Sequence, residues 1–312
     1  MKYLLIGDPH FSEKNAPVID KFIEETFKLN LKAYQKIIIL GDILDTHEKI
    51  NLRSLCKAID FIKKLSKYSK TYVLIGNHDR INNSVYLSEE HPFTGLIGLE
   101  NIYIINKPFL EENFLYVPYV ETGRFYEAIS DFDLKKVKTI FAHQEFLGSI
   151  FDDKGDKIPD IKTYSGHIHN YRKMANLTYV GTPFQHSYHD NPDKFLLEVD
   201  SGKESKIYLD IKKKRIENLK LSQLLDYKVD ENYYTKLIIC EDKKLLNNKK
   251  ILKILNSPQI SYRLVKNYKA KEKLNSEHKE ISFNKLLENR LDMEDINVKN
   301  LYQKLVSKIT VS

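Results

Sequence analysis

The sequence predicts a layered α/β fold, and three of its features carry that prediction. Short apolar runs rich in Ile, Val and Tyr alternate with amphipathic stretches. Five of those runs end in a polar cluster containing Asp, Asn or His, and glycines stand beside four of the clusters. In open sheets flanked by helices the ligand site lies at the carboxyl ends of strands, so these clusters are expected to converge on one rim.

Strands are expected at Lys2–Ile6, Lys36–Leu40, Thr71–Ile75, Ile102–Ile105, Phe114–Val117 and Thr139–Ala142, with a further one near Lys162–Ser165. Pro17 to Leu29 opens with a helix-compatible proline and sets Val18, Phe22, Ile23 and Phe27 at helical spacing. Leu52 to Leu65 repeats the pattern with Leu55, Ile59 and Ile62. Thr178–Val180, Phe195–Val199 and Lys206–Ile211 complete the first domain as short strands. The run Lys212-Lys213-Lys214-Arg215 reads as a boundary. Beyond it a strand over Tyr233–Cys240, a helix over Leu245–Leu255 and a strand over Ile260–Val265 suffice for a small α/β cap. After a polar linker, two short amphipathic helices are expected within Ile281–Val306. The expected domains are therefore residues 1–211, 212–272 and 273–312.

With 42% hydrophobic and 30% charged residues, the 312-residue chain has apolar mass for one large core and a smaller second unit. The opening run Tyr3-Leu4-Leu5-Ile6 stops at Gly7-Asp8, too soon for a signal-peptide core or a membrane span, so an intracellular, cytoplasmic location is expected. Cys56 and Cys240 fall in a helix and a strand far apart, where they are expected to be core residues and give no disulfide framework. Residues 211–312 hold 23 Lys and Arg against 13 Asp and Glu, a surplus of ten within a chain whose net charge is +7. The C-terminal part thus has the composition of a surface that meets a polyanion or an acidic partner.

Singly, each polar cluster reads as a turn or a helix cap. Jointly, Asp8-x-His10, Gly41-Asp42, Gly76-Asn77-His78-Asp79, His143 and Gly166-His167-x-His169 assemble carboxylate, amide and imidazole donors at strand ends, and turns have no need of five histidines there. Mixed oxygen and nitrogen donors without thiolates suit manganese, iron or zinc in sites open to water. Asp42 is the expected bridging ligand.

These motifs, in this order, resemble the calcineurin-type metallophosphoesterase superfamily. The resemblance implies a β-sandwich flanked by helices and two divalent cations. One would be held by Asp8, His10, Asp42 and His169, the other by Asp42, Asn77, His143 and His167. It makes His78 the non-ligand catalytic histidine at the leaving-group side, with Asp79 as its orienting partner. Gly41-Asp42-Ile43-Leu44-Asp45, the polar stretch Asn82 to Pro92, His143-Gln144-Glu145, and Ser165-Gly166-His167-Ile168-His169 followed by Val180-Gly181-Thr182-Pro183-Phe184 are similar to the SbcD-type recombination nuclease subunit, especially its phage and virus branch. That finer likeness implies a manganese-dependent exonuclease and single-strand endonuclease acting on DNA in repair or recombination. It also implies an SMC-like coiled-coil ATPase partner bound through residues 281–306, and leaves homodimerisation open. Asp45 stands where archaeal and eukaryotic relatives carry a further histidine. The alternatives are a phosphatase or phosphodiesterase of the same fold acting on nucleotides or phosphoproteins, and a non-catalytic scaffold.

Overall fold

The computed structural model describes residues 1–45, 49–149, 155–240 and 248–265. Strands β1 (Lys2–Ile6), β2 (Lys36–Ile39), β3 (Lys70–Leu74) and β4 (Ile102–Ile105) lie parallel in a first sheet. The chain then builds a second sheet from β5 (Phe109–Glu111), β6 (Phe114–Val117), β7 (Thr139–Ala142), β8 (Lys162–Ser165), β9 (Arg172–Met174) and β10 (Leu177–Tyr179). Within it β6, β7, β8 and β10 are parallel. The chain returns to the first sheet with β11 (Leu196–Asp200), antiparallel beside β1, and β12 (Lys203–Ile207) at the edge.

Central strands covered on both faces read as unbroken apolar runs, and the period-two side-chain alternation sorts each run between two cores. Leu4, Ile6, Ile37, Ile39 and Val73 pack with helices α1 (Ala16–Thr26) and α2 (Leu52–Leu65). Tyr3, Leu5, Ile38, Leu40, Tyr72 and Leu74 face inward and meet Phe114, Tyr116, Phe141 and Tyr164 of the second sheet. Leu115, Val117, Ile140 and Ala142 face outward again, toward the short helix α3 (Phe125–Ala128). An aromatic stack ties the sheets together: Tyr72 lies parallel to Tyr103 on one side and to Tyr116 on the other, both at 4.6 Å between ring centres. Tyr116 continues it to Phe141 at 5.2 Å. Lys36 donates to the Tyr72 hydroxyl at 3.0 Å and pairs with Glu111, so the buried ammonium is neutralised within the sandwich.

Residues 213–265 form a further three-stranded parallel sheet, β13 (Lys213–Lys220), β14 (Tyr233–Cys240) and β15 (Ile260–Val265), with helix α4 (Lys249–Leu255). Leu237 and Ile239 on one face of β14 share a core with Ile251 and Leu255 of α4.

Several expectations shift. The basic run expected as a boundary enters β13 directly, and β5 and β9 had no clear signal in their three residues each. The strand expected at Lys206–Ile211 begins earlier, because Ser201 and Gly202, at φ of 50° and 84°, close a two-residue hairpin that pairs Asp200 with Lys203. The buried stripe of α2 is Ala58, Phe61, Ile62 and Leu65, with Leu55 and Ile59 at its margin. Cys56 is exposed, not a core residue. The expected C-terminal helices, and the boundary at 272, lie outside the described residues. Among the described residues no helix is long and apolar enough to cross a membrane.

Phe61 joins the helix layer to the sheet, 1% exposed and in ring contact with Phe11, Phe22 and Phe27. Phe61→Ala is expected to cost ~3–5 kcal/mol of unfolding free energy in urea denaturation; a loss below about 1 kcal/mol would show that this layer repacks freely.

Candidate metal centre

The expected ligands stand where parallel strands stop. Asp8 and His10 follow β1, Asp42 follows β2, Asn77 follows β3, His143 follows β7, and His167 and His169 follow β8. Because β1 to β3 belong to one sheet and β7 and β8 to the other, the site spans the sandwich at a single rim. Reaching it distorts the chain. Asp8, His10, Asp42 and His167 all have positive φ, at 24°, 43°, 47° and 76°, a region that costs a residue with a Cβ of order 1–3 kcal/mol. Two glycines make room: a Cβ on Gly41, itself at φ +104°, would collide with the His143 ring, and one on Gly166 with the Asp8 carboxylate.

For His10 and His143 a hydrogen bond on the far side of the ring fixes which nitrogen faces the centre. His10 Nδ1 donates to the Leu44 carbonyl at 3.2 Å, so its Nε2 lone pair faces His169 Nε2 at 3.1 Å. His143 Nδ1 donates to the Leu40 carbonyl at 2.7 Å, and its Nε2 faces Asn77 Oδ1 at 3.0 Å and Asp42 Oδ2 at 3.2 Å. Asn77 Oδ1 also lies 3.0 Å from His167 Nδ1. Anchoring one ring nitrogen on a backbone carbonyl is the habit of metal-ligating histidine. Two groups of donor atoms lie within 4.8 Å of one another, His10 with Asp42 and His78, and Asp42 with His143 and His167. Asp42 is common to both, the position a bridging carboxylate requires.

The electrostatics fit a pair of cations. Both carboxylate oxygens of Asp8 are buried with no hydrogen-bond partner among the described residues, and burial pushes its pKa up to about 8. Burial also raises Asp42, but the opposing pull of His143, His10 and His78 is greater and holds it below the ordinary carboxylate range. Burial lowers His10 to about 3 and His167 to about 4, leaving neutral imidazoles with free lone pairs at neutral pH. Burial works to lower His143 as well, yet Asp42 and Asp8 overcome it and carry its pKa up to about 9. Without cations, then, protons on Asp8 and His143 hold the crowded donors together.

His78 joins this cluster. Its Nδ1 donates to the Asp45 carbonyl at 2.9 Å, its backbone N–H donates to Asp42 Oδ1 at 2.8 Å, and its ring meets the His10 ring edge-on at 4.8 Å. Asp79 has a different task from orienting that ring. Its buried carboxylate accepts from the amides of Ile43, Leu44 and Gly76 at 2.9 to 3.2 Å, bracing the loop after β2 against the loop after β3. Three contributors went unread in the sequence. The carbonyl of Asp45 holds His78; the Tyr119 ring lies against His167, 5.9 Å between centres; and His186 packs against His10 at 5.0 Å. His186 follows the Gly-Thr-Pro turn by three residues, and that turn was its only signal.

A pH dependence follows. Asp8 and His143 bind protons more tightly folded than unfolded, so each contributes stability that is complete below its ordinary pKa, 3.8 or 6.5, and lost as pH rises through about 8 or about 9. The melting temperature of chelator-treated protein should therefore fall between pH 6.5 and 9, while excess Mn²⁺, which favours the deprotonated donors, should abolish the fall. A metal-free melting temperature that rises over that window would contradict the proton-held arrangement.

Residues 1–211 match the family described as calcineurin-like phosphoesterase. The chain is 37% identical over 265 residues to "Putative phosphoesterase 244L" of Invertebrate iridescent virus 6, an alignment covering 77% of this chain and 93% of that protein. It is 38% identical over 201 residues to "Putative phosphoesterase 078R" of Invertebrate iridescent virus 3, covering 59% of this chain and 58% of that one. Among solved structures it is similar to the Pseudomonas putida nuclease MPE, with 16% identity and a TM-score of 0.34 over 66% of this chain and 87% of that one. With the family's match across the whole two-sheet region and donor atoms gathered as a dinuclear divalent centre requires, the chain belongs to the calcineurin-like phosphoesterases and is a metal-dependent phosphoester hydrolase.

Proposed function

We propose that the protein is a two-metal, manganese-dependent DNA nuclease of the SbcD type, working in repair or recombination with an SMC-like coiled-coil ATPase. The supporting observation is the open face of the cap sheet. Lys214, Lys236 and Arg263 step diagonally across β13, β14 and β15 on the face opposite Leu237 and Ile239. That face abuts the loop bearing His186: Lys214 and Lys236 each lie 5.9 Å from the Tyr188 ring, and Ser261 donates to the Tyr188 hydroxyl at 3.2 Å. A basic stripe leading to a phosphoester site suits a polyanionic substrate, since each phosphate neutralised by Lys or Arg releases counterions. The ATPase contact is proposed on the likeness in sequence alone.

Two divalent cations, when bound, would supply an acidified water and charge to neutralise the phosphate oxygens. Asp8, His10, Asp42 and His169 would hold one, and Asp42, Asn77, His143 and His167 the other. His78, whose Nδ1–H is held by the Asp45 carbonyl, would in its doubly protonated form give the Nε2 proton to the departing oxygen and be left as the neutral Nδ1–H ring. Asp79 keeps the two ligand loops in register.

His78→Ala should reduce cleavage of single-stranded and duplex DNA about 10²–10⁴-fold with Mn²⁺ uptake retained; undiminished cleavage would remove His78 from the chemistry. Lys236→Glu with Arg263→Glu should raise KM for DNA and flatten its salt dependence while sparing an aryl phosphodiester of low charge. If both substrates respond equally, or if the unaltered protein hydrolyses nucleotides and leaves DNA intact, the phosphatase reading replaces this one.

A further inference from the structure

His186 belongs to none of the ligand motifs, yet its ring sits among them, 5.0 Å from the His10 ring and 5.7 Å from that of His169. Its Nε2 lies 3.1 Å from the backbone carbonyl of Asp8 and must donate to it, since a carbonyl has no proton to give. The bond lands on a strained peptide unit, for Asp8 is a non-glycine residue at φ 24°. The Asp8 carboxylate itself is held loosely: its oxygens accept no close hydrogen bond among the described residues, and Oδ1 lies 3.5 Å from His143 Nδ1. The backbone that carries the carboxylate is the part firmly gripped, and His186 grips it.

The grip is itself tied to the cap. Asp190 fixes the loop by accepting from the amides of His186 at 2.7 Å and Ser187 at 3.0 Å. Lys214, on β13, donates from Nζ to the His186 carbonyl at 2.9 Å and to Asn15 Oδ1 at 2.7 Å. Its backbone N–H reaches Gln185 Oε1 at 2.7 Å, and Gln185 Nε2 returns a bond to the Lys214 carbonyl at 3.1 Å. Lys214 donates to neutral acceptors and is partly buried; burial, with repulsion from Lys14, lowers its pKa to about 8 against the opposing pull of Asp190. A continuous run of contacts joins the basic strand of the cap to the backbone of the first expected ligand.

We infer that His186 is a positioning residue for the cation held by Asp8 and His10, and that Lys214 conveys to it the placement of the cap. The inference rests on the dinuclear reading of the centre and is independent of whether the substrate is DNA. Outer hydrogen bonds of this kind are worth roughly 10–100-fold in metal affinity.

The test uses the full chain, Mn²⁺ titration followed by calorimetry and electron paramagnetic resonance, and hydrolysis of bis(p-nitrophenyl) phosphate. His186→Phe keeps a ring and removes the donor. It should weaken one of the two Mn²⁺ sites about 10–100-fold, leave the other within a few-fold, and lower kcat with little change in KM. His186→Asn, whose amide can still donate, should recover part of the lost affinity. Lys214→Met should weaken the same Mn²⁺ site by a smaller factor, and remains informative if the Phe variant does not fold. Two undisturbed Mn²⁺ sites in the His186 variants, or equal weakening of both sites, would overturn the positioning role; an undisturbed Lys214→Met would overturn the link to the cap. If the unaltered protein binds fewer than two Mn²⁺, the dinuclear reading fails, and that result is distinguishable from either of the others.

Discussion

The structure depends on one electrostatic constraint. Lone pairs from two carboxylates, an amide and a group of imidazoles are pressed together out of water, and like partial charges at 3.0 to 3.2 Å repel unless a positive charge lies among them. A proton on His143 can answer part of that demand, and so can one on Asp8. Divalent cations answer it more fully. The backbone strain at Asp8, His10, Asp42 and His167 has the same source, because three chain segments must turn sharply to present their side chains to one point.

Such an arrangement needs a stiff support, and the sandwich provides it. Each central strand is packed on both faces, so its end cannot tilt without disturbing two cores. The stack from Tyr103 through Tyr72, Tyr116 and Phe141 locks the first sheet to the second, and therefore Asp8, His10, Asp42 and Asn77 to His143, His167 and His169. Asp79 performs the same service locally, by joining the loops after β2 and β3. Its conspicuous place in the Asn-His-Asp motif owes more to bracing than to proton transfer.

The sheet of β13, β14 and β15 adds a basic face beside the centre. Its helix-covered face builds a small core of its own, and its open face carries Lys214, Lys236 and Arg263. Lys214 faces two ways: it belongs to the basic stripe, and it holds the loop that holds Asp8.

The sequence by itself determined the fold class, most strand positions and which polar residues stand at the strand ends. A buried parallel strand must be apolar throughout, and a donor at its end interrupts that run visibly, so Leu5-Ile6-Gly7-Asp8 and Ile39-Leu40-Gly41-Asp42 announce both strand and site. Only the tertiary structure decided what the remaining polar groups do. Asp79 accepts from amides of the loops after β2 and β3, the Asp45 carbonyl accepts from His78, and His186 donates to the Asp8 carbonyl. The physical reason is that a backbone carbonyl has no residue signature, and a hydrogen bond spanning 178 positions, as between His186 and Asp8, leaves no spacing to read. Local patterns record what a strand needs, whereas orientation is set by partners that the fold alone brings near.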